Sequence, residues 1–523
     1  MKKIVIFFFL FFLPQAVLFA RENIVDIRDF GAVEGDTTIV QVKNSVGSDL
    51  RFLVDKQTRT GKAIQDAIDF VGRSGGGMIL IPQGTWYVYS YIVVKYQNVI
   101  ITGTGDSTVL KGMPDSPCVH GYGILQVGFF GKEQPKNGFT GICIENLKID
   151  GNIYQRGKPS AEFQMYNLVV YGDKVQIVIK NITSVNSGID CLMLSFRNNP
   201  DCSATVSTSR FKGAFRNTVS VCGGSNIIFT NCTFEDAGIP FGGTNPRYCL
   251  DIEPNSPDNN PVDHISFSHC VFRNAINCAM GAVWARDVNF TNCLFETGPD
   301  TKQGIISNIA CCEITISNST FNGKNYQYSY IRQEPHYTER FGSKGYLVLE
   351  NNRFISTGGE IQGHYAVIRN NLFINSGKAL FVMAPFAIVE NNVLVNCGWA
   401  DPNGGRWASL CIGYNNDAKR SYIVSNNLVR FDENMLDIDI KTINPSMYFG
   451  IYIQNINADI QLINNRAEGF YRFPEIIGKE KNINKYRDWA SPNMPPSDIR
   501  TETSIISGNS FGGPDWKKET NFK

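Results

Sequence analysis

NIIFTNCTF (226–234), HISFSHCVF (264–272), DVNFTNCLF (287–295), EITISNSTF (313–321), YLVLENNRF (346–354), YAVIRNNLF (365–373) and FAIVENNVL (386–394) repeat one short pattern. Apolar residues stand two apart, a polar pair follows, and an aromatic or aliphatic residue closes the unit. SYIVSNNLV (421–429), ADIQLINNRA (458–467) and SIISGNSF (504–511) are weaker copies. From Phe211 the closing aromatic steps to Phe234, Phe272, Phe295, Phe321, Phe354 and Phe373, at intervals of 23, 38, 23, 26, 33 and 19 residues. A cadence near twenty-odd residues with insertions is that of a solenoid.

Alternation with a period of two makes each unit strand rather than helix. One unit cannot cover its own apolar face, so neighbours must stack. The second member of the polar pair then forms a column: Cys232, Cys270, Cys293, Ser319, Asn352, Asn371, Asn392, Asn427, Asn465 and Asn509. Identical amides stacked coil on coil can hydrogen-bond along such a column. The three cysteines in it are expected to be small buried free thiols, although 14 Cys in an exported chain would first suggest disulfides. Spacing leaves Cys311, Cys312, Cys397 and Cys411 undetermined.

The first twenty residues, MKKIVIFFFLFFLPQAVLFA, read as a secretory signal: Lys2 and Lys3, an apolar middle, and Ala20 as a small residue for cleavage. The apolar run is short and interrupted by Pro14, and no later stretch is long and apolar enough to span a bilayer. A secreted or periplasmic location is expected. The formal net charge of +1, near −1 once the signal is removed, argues against a nucleic-acid partner. Five His without a spaced His/Cys cluster argue against a zinc site.

The repeat resembles the right-handed parallel β-helix of the pectate lyase and polygalacturonase superfamily. DFGA (29–32), Gly35-Asp36, GKAIQDAID (61–69) and GGGMILIPQGTWYV (75–88) look like that superfamily's opening cap, in which an amphipathic helix plugs the first coil. The helix stands on its own pattern too, with Ile64, Ile68 and Val71 on one face. Residues 37–60 are an insertion relative to the usual cap. The expected fold is all-β: a single-stranded right-handed parallel β-helix with a short N-terminal capping helix. Its parts are a signal peptide (1–20), the cap and first coils (21–113), the β-helix (114–470), and a C-terminal insertion with a last coil (471–523).

In such a fold the strand after each aromatic column shows alternate residues to a groove where substrate chains lie. In NTVSVCG (217–223) and YCLDIEPN (248–255), Val219, Val221, Leu250 and Ile252 then face the core. Arg216, Thr218, Ser220, Asp251 and Glu253 face the groove, with both carboxylates exposed. Residues i and i+2 on a strand are ~6.6 Å apart, within the ~6.5–9.5 Å that inverting glycoside hydrolysis asks of its acid and base. Asp190, in SGIDCLML (187–194), joins them if Ile189 and Cys191 turn inward, and not if Leu192 and Leu194 do. Crowded carboxylates push each other's pKa apart, so one can serve as acid while another stays ionised. An outward carboxylate on a strand is most often only solvated; it is the pair beside Arg216 that points to chemistry.

Expected roles are therefore catalytic for Asp251, Glu253 and Asp190, and substrate-binding for Arg216. Tyr330, Arg332 and His336, in the aromatic-rich NYQYSYIRQEPHYTERF (325–341), are expected to bind sugar rings, which offer apolar faces and hydroxyl edges. SGID looks somewhat like the Asp-bearing segment of polygalacturonases, but a clean Asp-Asp pair, His-Gly and Arg-Ile-Lys are missing. The expected function is an exported polysaccharide-degrading glycoside hydrolase without cofactor. One alternative is a Ca²⁺-dependent lyase acting on uronate-containing glycans, with carboxylates on the metal and Arg216 as base. The other is a non-catalytic carbohydrate-binding or adhesive β-helix.

Overall fold

The computed structural model describes residues 23–512 except 43–54, 119–121, 131–133, 160–164, 198, 256–261, 300, 303, 311, 325–329, 334–344, 400–406, 414–419, 433–434, 436–447, 454–457 and 469–504. The expected signal peptide (1–20), His336, Cys311 and most of the expected C-terminal insertion (471–523) thus lie outside the described residues.

Each coil carries three strands, and each strand pairs in parallel with its counterpart one coil on. Tyr248–Ile252, Val262–Ser268 and Val271–Arg273 make one coil, followed by Cys278–Val283, Ala285–Thr291 and Leu294–Glu296. The register is strict, with Leu250 on Met280, Phe267 on Phe290 and Phe272 on Phe295. This is the right-handed parallel β-helix fold expected from the repeat. We number its faces in that order: the first carries Tyr248–Ile252, the second Val262–Ser268, the third Val271–Arg273.

Period-two alternation puts Ile227, Phe229, Ile265, Phe267, Val288 and Phe290 into one continuous lumen core. The closing aromatics stack along it, with ring centroids 4.6 Å apart for Phe234–Phe272, 4.9 Å for Phe272–Phe295, 4.5 Å for Phe321–Phe354 and 4.2 Å for Phe354–Phe373. These spacings bracket the inter-strand distance, so an aromatic at a fixed position in every coil meets its neighbour at a favourable stacking distance.

The polar pair makes the bend between second and third faces. Its first residue has a left-handed backbone in coil after coil: Asn231 (φ 54°), Asn292 (55°), Asn351 (57°), Asn370 (56°) and Asn391 (55°). Among residues with a Cβ, Asn tolerates that region best, which explains its abundance here. The second residue turns inward. Asn371 Oδ1 accepts from the backbone N–H of Asn352 (2.9 Å) and from its amide (3.1 Å). Asn371 in turn donates through Nδ2 back to the Leu349 carbonyl (2.8 Å) and forward to Asn392 Oδ1 (3.0 Å). The same bonds recur through Asn427 and Asn465 to Asn509.

Upstream, Ser319 and the cysteines occupy this column. Cys232, Cys270 and Cys293 are buried free thiols that donate to carbonyls of their own bends, those of Thr230 (3.4 Å), Ser268 (3.4 Å) and Thr291 (3.5 Å). Cys312, Cys397 and Cys411 are also free.

Helix Arg59–Arg73 plugs the first coil with Ile64, Ile68 and Val71, and Thr58 caps it by accepting from the Gly61 N–H at 2.8 Å. The inserted segment ahead of it forms an antiparallel pair, Ile39–Gln41 with Lys56–Thr58. No helix among the described residues is long and apolar enough to cross a membrane.

Because each ladder amide serves the coils on both sides, Asn371→Ala should strand buried donors and acceptors at a cost of ~2–4 kcal/mol. Asn370→Gly, one residue earlier at positive φ, should change stability by less than ~1 kcal/mol. Thermal or denaturant unfolding of both variants checks the contrast.

Candidate functional site

On the first face Val219, Val221, Leu250 and Ile252 join the lumen core. The intervening residues point outward, so Ser220, Asp251 and Gly281 form one outward column across three coils. The Tyr248 ring lies over Gly281: a Cβ there would sit 2.5 Å from it. Glu253, two residues beyond Asp251 and just past the end of its strand, is exposed.

Asp251 departs from the expectation of an exposed carboxylate, being only 8% exposed. Asn217 Nδ2 donates to its Oδ2 at 2.8 Å, and Oδ1 makes no hydrogen bond among the described residues. Burial, then the charges of Glu253 and Asp190, push its pKa up to about 7 against the opposing pull of Arg216 and the Asn217 hydrogen bond.

Asp190 departs further, because the chain bends at 188–191 and neither simple alternation applies. Cys191, Leu192 and Leu194 enter the lumen core while Ile189 joins a separate cluster outside it. The Asp190 carboxylate is fully buried and takes four donors. Oδ1 accepts from Arg216 Nε (3.0 Å) and the Asn217 N–H (3.0 Å); Oδ2 accepts from the Arg216 guanidinium (2.6 Å) and Ser220 Oγ (2.8 Å). Burial works against the Arg216 charge, but the Asp190 carboxylate outweighs it and raises the Arg216 pKa.

Asn217 completes the link. It accepts the Tyr248 N–H at 2.9 Å and donates to both Ser220 Oγ (3.1 Å) and Asp251. One continuous network, Asp190 to Ser220 to Asn217 to Asp251, therefore ties the ion pair to the strand that carries Asp251. Sequence reasoning assigned no role to Asn217 and Tyr248. The signal was in RNTVS (216–220), whose register beside Asp251 follows from alternation, but the hook of Asn217 onto Ser220 and Asp251 occurs at a turn that alternation does not describe. Thr218, expected in the groove, is fully buried and its hydroxyl donates to the Cys249 carbonyl.

Of the other expected residues, Arg332 lies on the first face three coils beyond Asp251, half-exposed, its Nε 3.9 Å from Glu360 Oε2. Tyr330 begins the same strand, and its side chain is outside the described residues. The structure thus brings together Asp190, Arg216, Asp251 and Glu253 and sets Arg332 apart.

Asp190 has every oxygen engaged by donors, one of them a guanidinium, so a cation there would have to displace Arg216.

No protein-family model matches the chain, and no curated protein matches it. Solved structures do. The pre-mature form of gene product 12 of bacteriophage phi29 aligns over 83% of this chain and 55% of its own, at 14% identity and a TM-score of 0.50. The A-module of a mannuronan C-5 epimerase from Azotobacter vinelandii covers 94% of this chain and 100% of its own, at 13% identity and a TM-score of 0.42. The catalytic unit of a thermostable GH87 α-1,3-glucanase from Streptomyces thermodiastaticus covers 94% and 69%, at 11% identity and a TM-score of 0.42. At such identities the likeness concerns the fold alone.

The two aspartates should respond oppositely to neutralisation. Asp190→Asn leaves a buried guanidinium uncompensated and should cost ~3–5 kcal/mol. Asp251 holds its proton to about pH 7 when folded but only to about pH 4 when unfolded, so its contribution to stability falls as pH rises between those values. Asp251→Asn should accordingly raise the unfolding midpoint at pH 8 and leave it nearly unchanged at pH 4. Melting curves at the two pH values check both statements.

Proposed function

We propose that this protein is an exported enzyme that cleaves polysaccharide chains, and that it does so by glycoside hydrolysis with Asp251 as general acid and Glu253 as general base. The observation that carries this reading is the unequal environment of two carboxylates, one on the strand Tyr248–Ile252 and one just past its end. Asp251 is buried, hydrogen-bonded on one oxygen and protonated up to about pH 7, while Glu253 is in solvent. An extended chain sets residues two apart ~6.6 Å apart at Cα; inversion asks that the carboxyl groups themselves stand ~6.5–9.5 Å apart with a water between them.

In this mechanism Asp251 Oδ1, which has no hydrogen bond among the described residues, delivers its proton to the leaving oxygen. Glu253 takes a proton from the attacking water on the opposite side of the sugar. Asp190 is a positioning residue: with Arg216 it holds Ser220 and the Asn217 N–H, hence the orientation of Asp251. The solved structures of similar fold include an epimerase acting on mannuronan and an α-1,3-glucanase, in keeping with a polysaccharide substrate.

The lyase reading is less favoured on a specific ground. Arg216 is committed to Asp190 by two hydrogen bonds and its proton is held more tightly than usual, which is the reverse of what a base requires.

Mass spectrometry of products from a panel of plant and host polysaccharides is the direct test. Hydrolysis yields fragments that have gained a water; unsaturated fragments would establish elimination, and no cleavage would return the protein to the binding class. Asp251→Asn and Glu253→Gln should each lower kcat by ~10²–10⁴-fold with the fold intact. The alkaline limb of kcat/KM should fall above about pH 7 as Asp251 loses its proton.

A further inference from the structure

We infer that Tyr154 and Phe241 form a platform that binds one sugar ring of the polysaccharide by stacking on its apolar C–H face. The inference rests on the polysaccharide reading above and adds a subsite to it, apart from the acid pair.

The chain enters the first face through bends of unequal length. They are short at 188–191 and 215–218 and long at 151–167 and 236–247. The strands that these bends feed begin at Leu168, Leu192, Val219 and Tyr248, and they pair in succession. The two long bends are thus three coils apart, ~14 Å. Yet the Tyr154 and Phe241 rings lie only 5.8 Å apart between centroids, inclined at 50°. The long bends therefore lean together across the two short ones, which carry Asp190, Arg216 and Asn217.

The two rings stay largely in solvent while their neighbours in sequence anchor them. Tyr154 is 57% exposed and Phe241 42%, with Ile239 at 38% on the same bend. Ile153 is buried in an apolar cluster outside the lumen core, together with Tyr166, Val169, Ile189, Met193 and Phe215. Three residues on, the Arg156 guanidinium donates to the carbonyls of Gly151 (3.2 Å), Pro117 (3.0 Å) and Tyr122 (2.7 Å). On the other bend Pro240 is buried. The Gly238 N–H donates to the Ala214 carbonyl and the Thr244 N–H to the Phe215 carbonyl, both at 2.9 Å. Asn277 Nδ2 holds the far end through the Pro246 carbonyl at 2.7 Å.

Phe241 has a left-handed backbone, φ 53° and ψ 23°, which a bulky residue adopts only at a cost. Gly242 and Gly243 follow it at φ 77° and 63°, where glycine is at ease. For an outward phenylalanine that cost is not offset by burial, and its ring is left available to a ligand. Aromatic side chains fixed in advance lose little freedom on binding, which suits a ring with an apolar face. A protein partner fits less well. Three half-exposed apolar side chains offer on the order of 300 Å², against ~800 Å² per partner in a stable interface.

The test casts single soluble polysaccharides (polygalacturonate, alginate, xylan, β-glucan or hyaluronan) into native gels and measures how far each retards the protein. KM and kcat are then measured on each polymer that the wild type cleaves. Tyr154→Ala combined with Phe241→Ala should weaken binding at least about tenfold and raise KM by a similar factor, with a smaller effect on kcat. Tyr154→Phe should bind like the wild type. Phe241→Gly removes the ring and relieves the left-handed backbone, so its melting temperature should hold or rise while binding falls. A lower melting temperature with unchanged retardation and KM would make the ring structural and overturn the platform. A change in sedimentation on losing the rings would assign them to a contact between copies and overturn it too. Unchanged binding and KM in the double variant would also overturn it, and would leave the acid pair standing. A wild type that no polymer retards and that cleaves none would remove the polysaccharide reading and the platform with it.

Discussion

Every coil of this protein lies one strand spacing from the next, ~4.8 Å, and each buried group must find its partner across that gap. A side chain at a given position therefore meets the same position of the neighbouring coil. Phenylalanine meets phenylalanine at 4.2–4.9 Å in the third-face column from Phe234 to Phe373. Asparagine meets asparagine with every amide group used. Where the column changes to serine and cysteine, smaller donors bond locally to the carbonyls of their own bends. The repeat in the sequence is the image of this single distance.

The same constraint shapes the site. Stacking places Ser220 below and Gly281 above Asp251, and neither carries a charge that would balance it. The compensating cation, Arg216, is instead committed to Asp190 in the turn before the strand. Asp251 is left with one amide donor, a neighbouring carboxylate and little water, which is why it retains its proton to near neutrality. A fold concerned only with stability would exchange such a residue for an amide. Its place in a network of Asn217, Ser220 and Asp190 is the physical ground for proposing chemistry there.

Much of the fold was legible because it is periodic. The strands, the inward aromatics, the asparagine ladder, the free cysteine trio and the capping helix all follow from alternation and from positions repeated coil after coil. The site was legible in part. Alternation correctly separated Leu250 and Ile252 from Asp251, and Val219 and Val221 from Ser220. It did not reach Asp190, Asn217 or Thr218, which lie in turns where the two-residue rule ends. Nor could it reveal the depth of Asp251, because facing outward and being exposed are separate properties: a segment distant in sequence can cover an outward face.

What this sequence determined alone is whatever recurs with the coil, because a periodic structure writes its packing rule into every repeat. Tertiary structure decided what occurs once. The Asp190–Arg216 pair, the hook of Asn217 onto Asp251, and the cluster of Ile153, Tyr166 and Phe215 with Val169 and Met193 each join residues that no period relates. Burial and charge at those places depend on which loops happen to meet, and that is settled only when the coils are stacked.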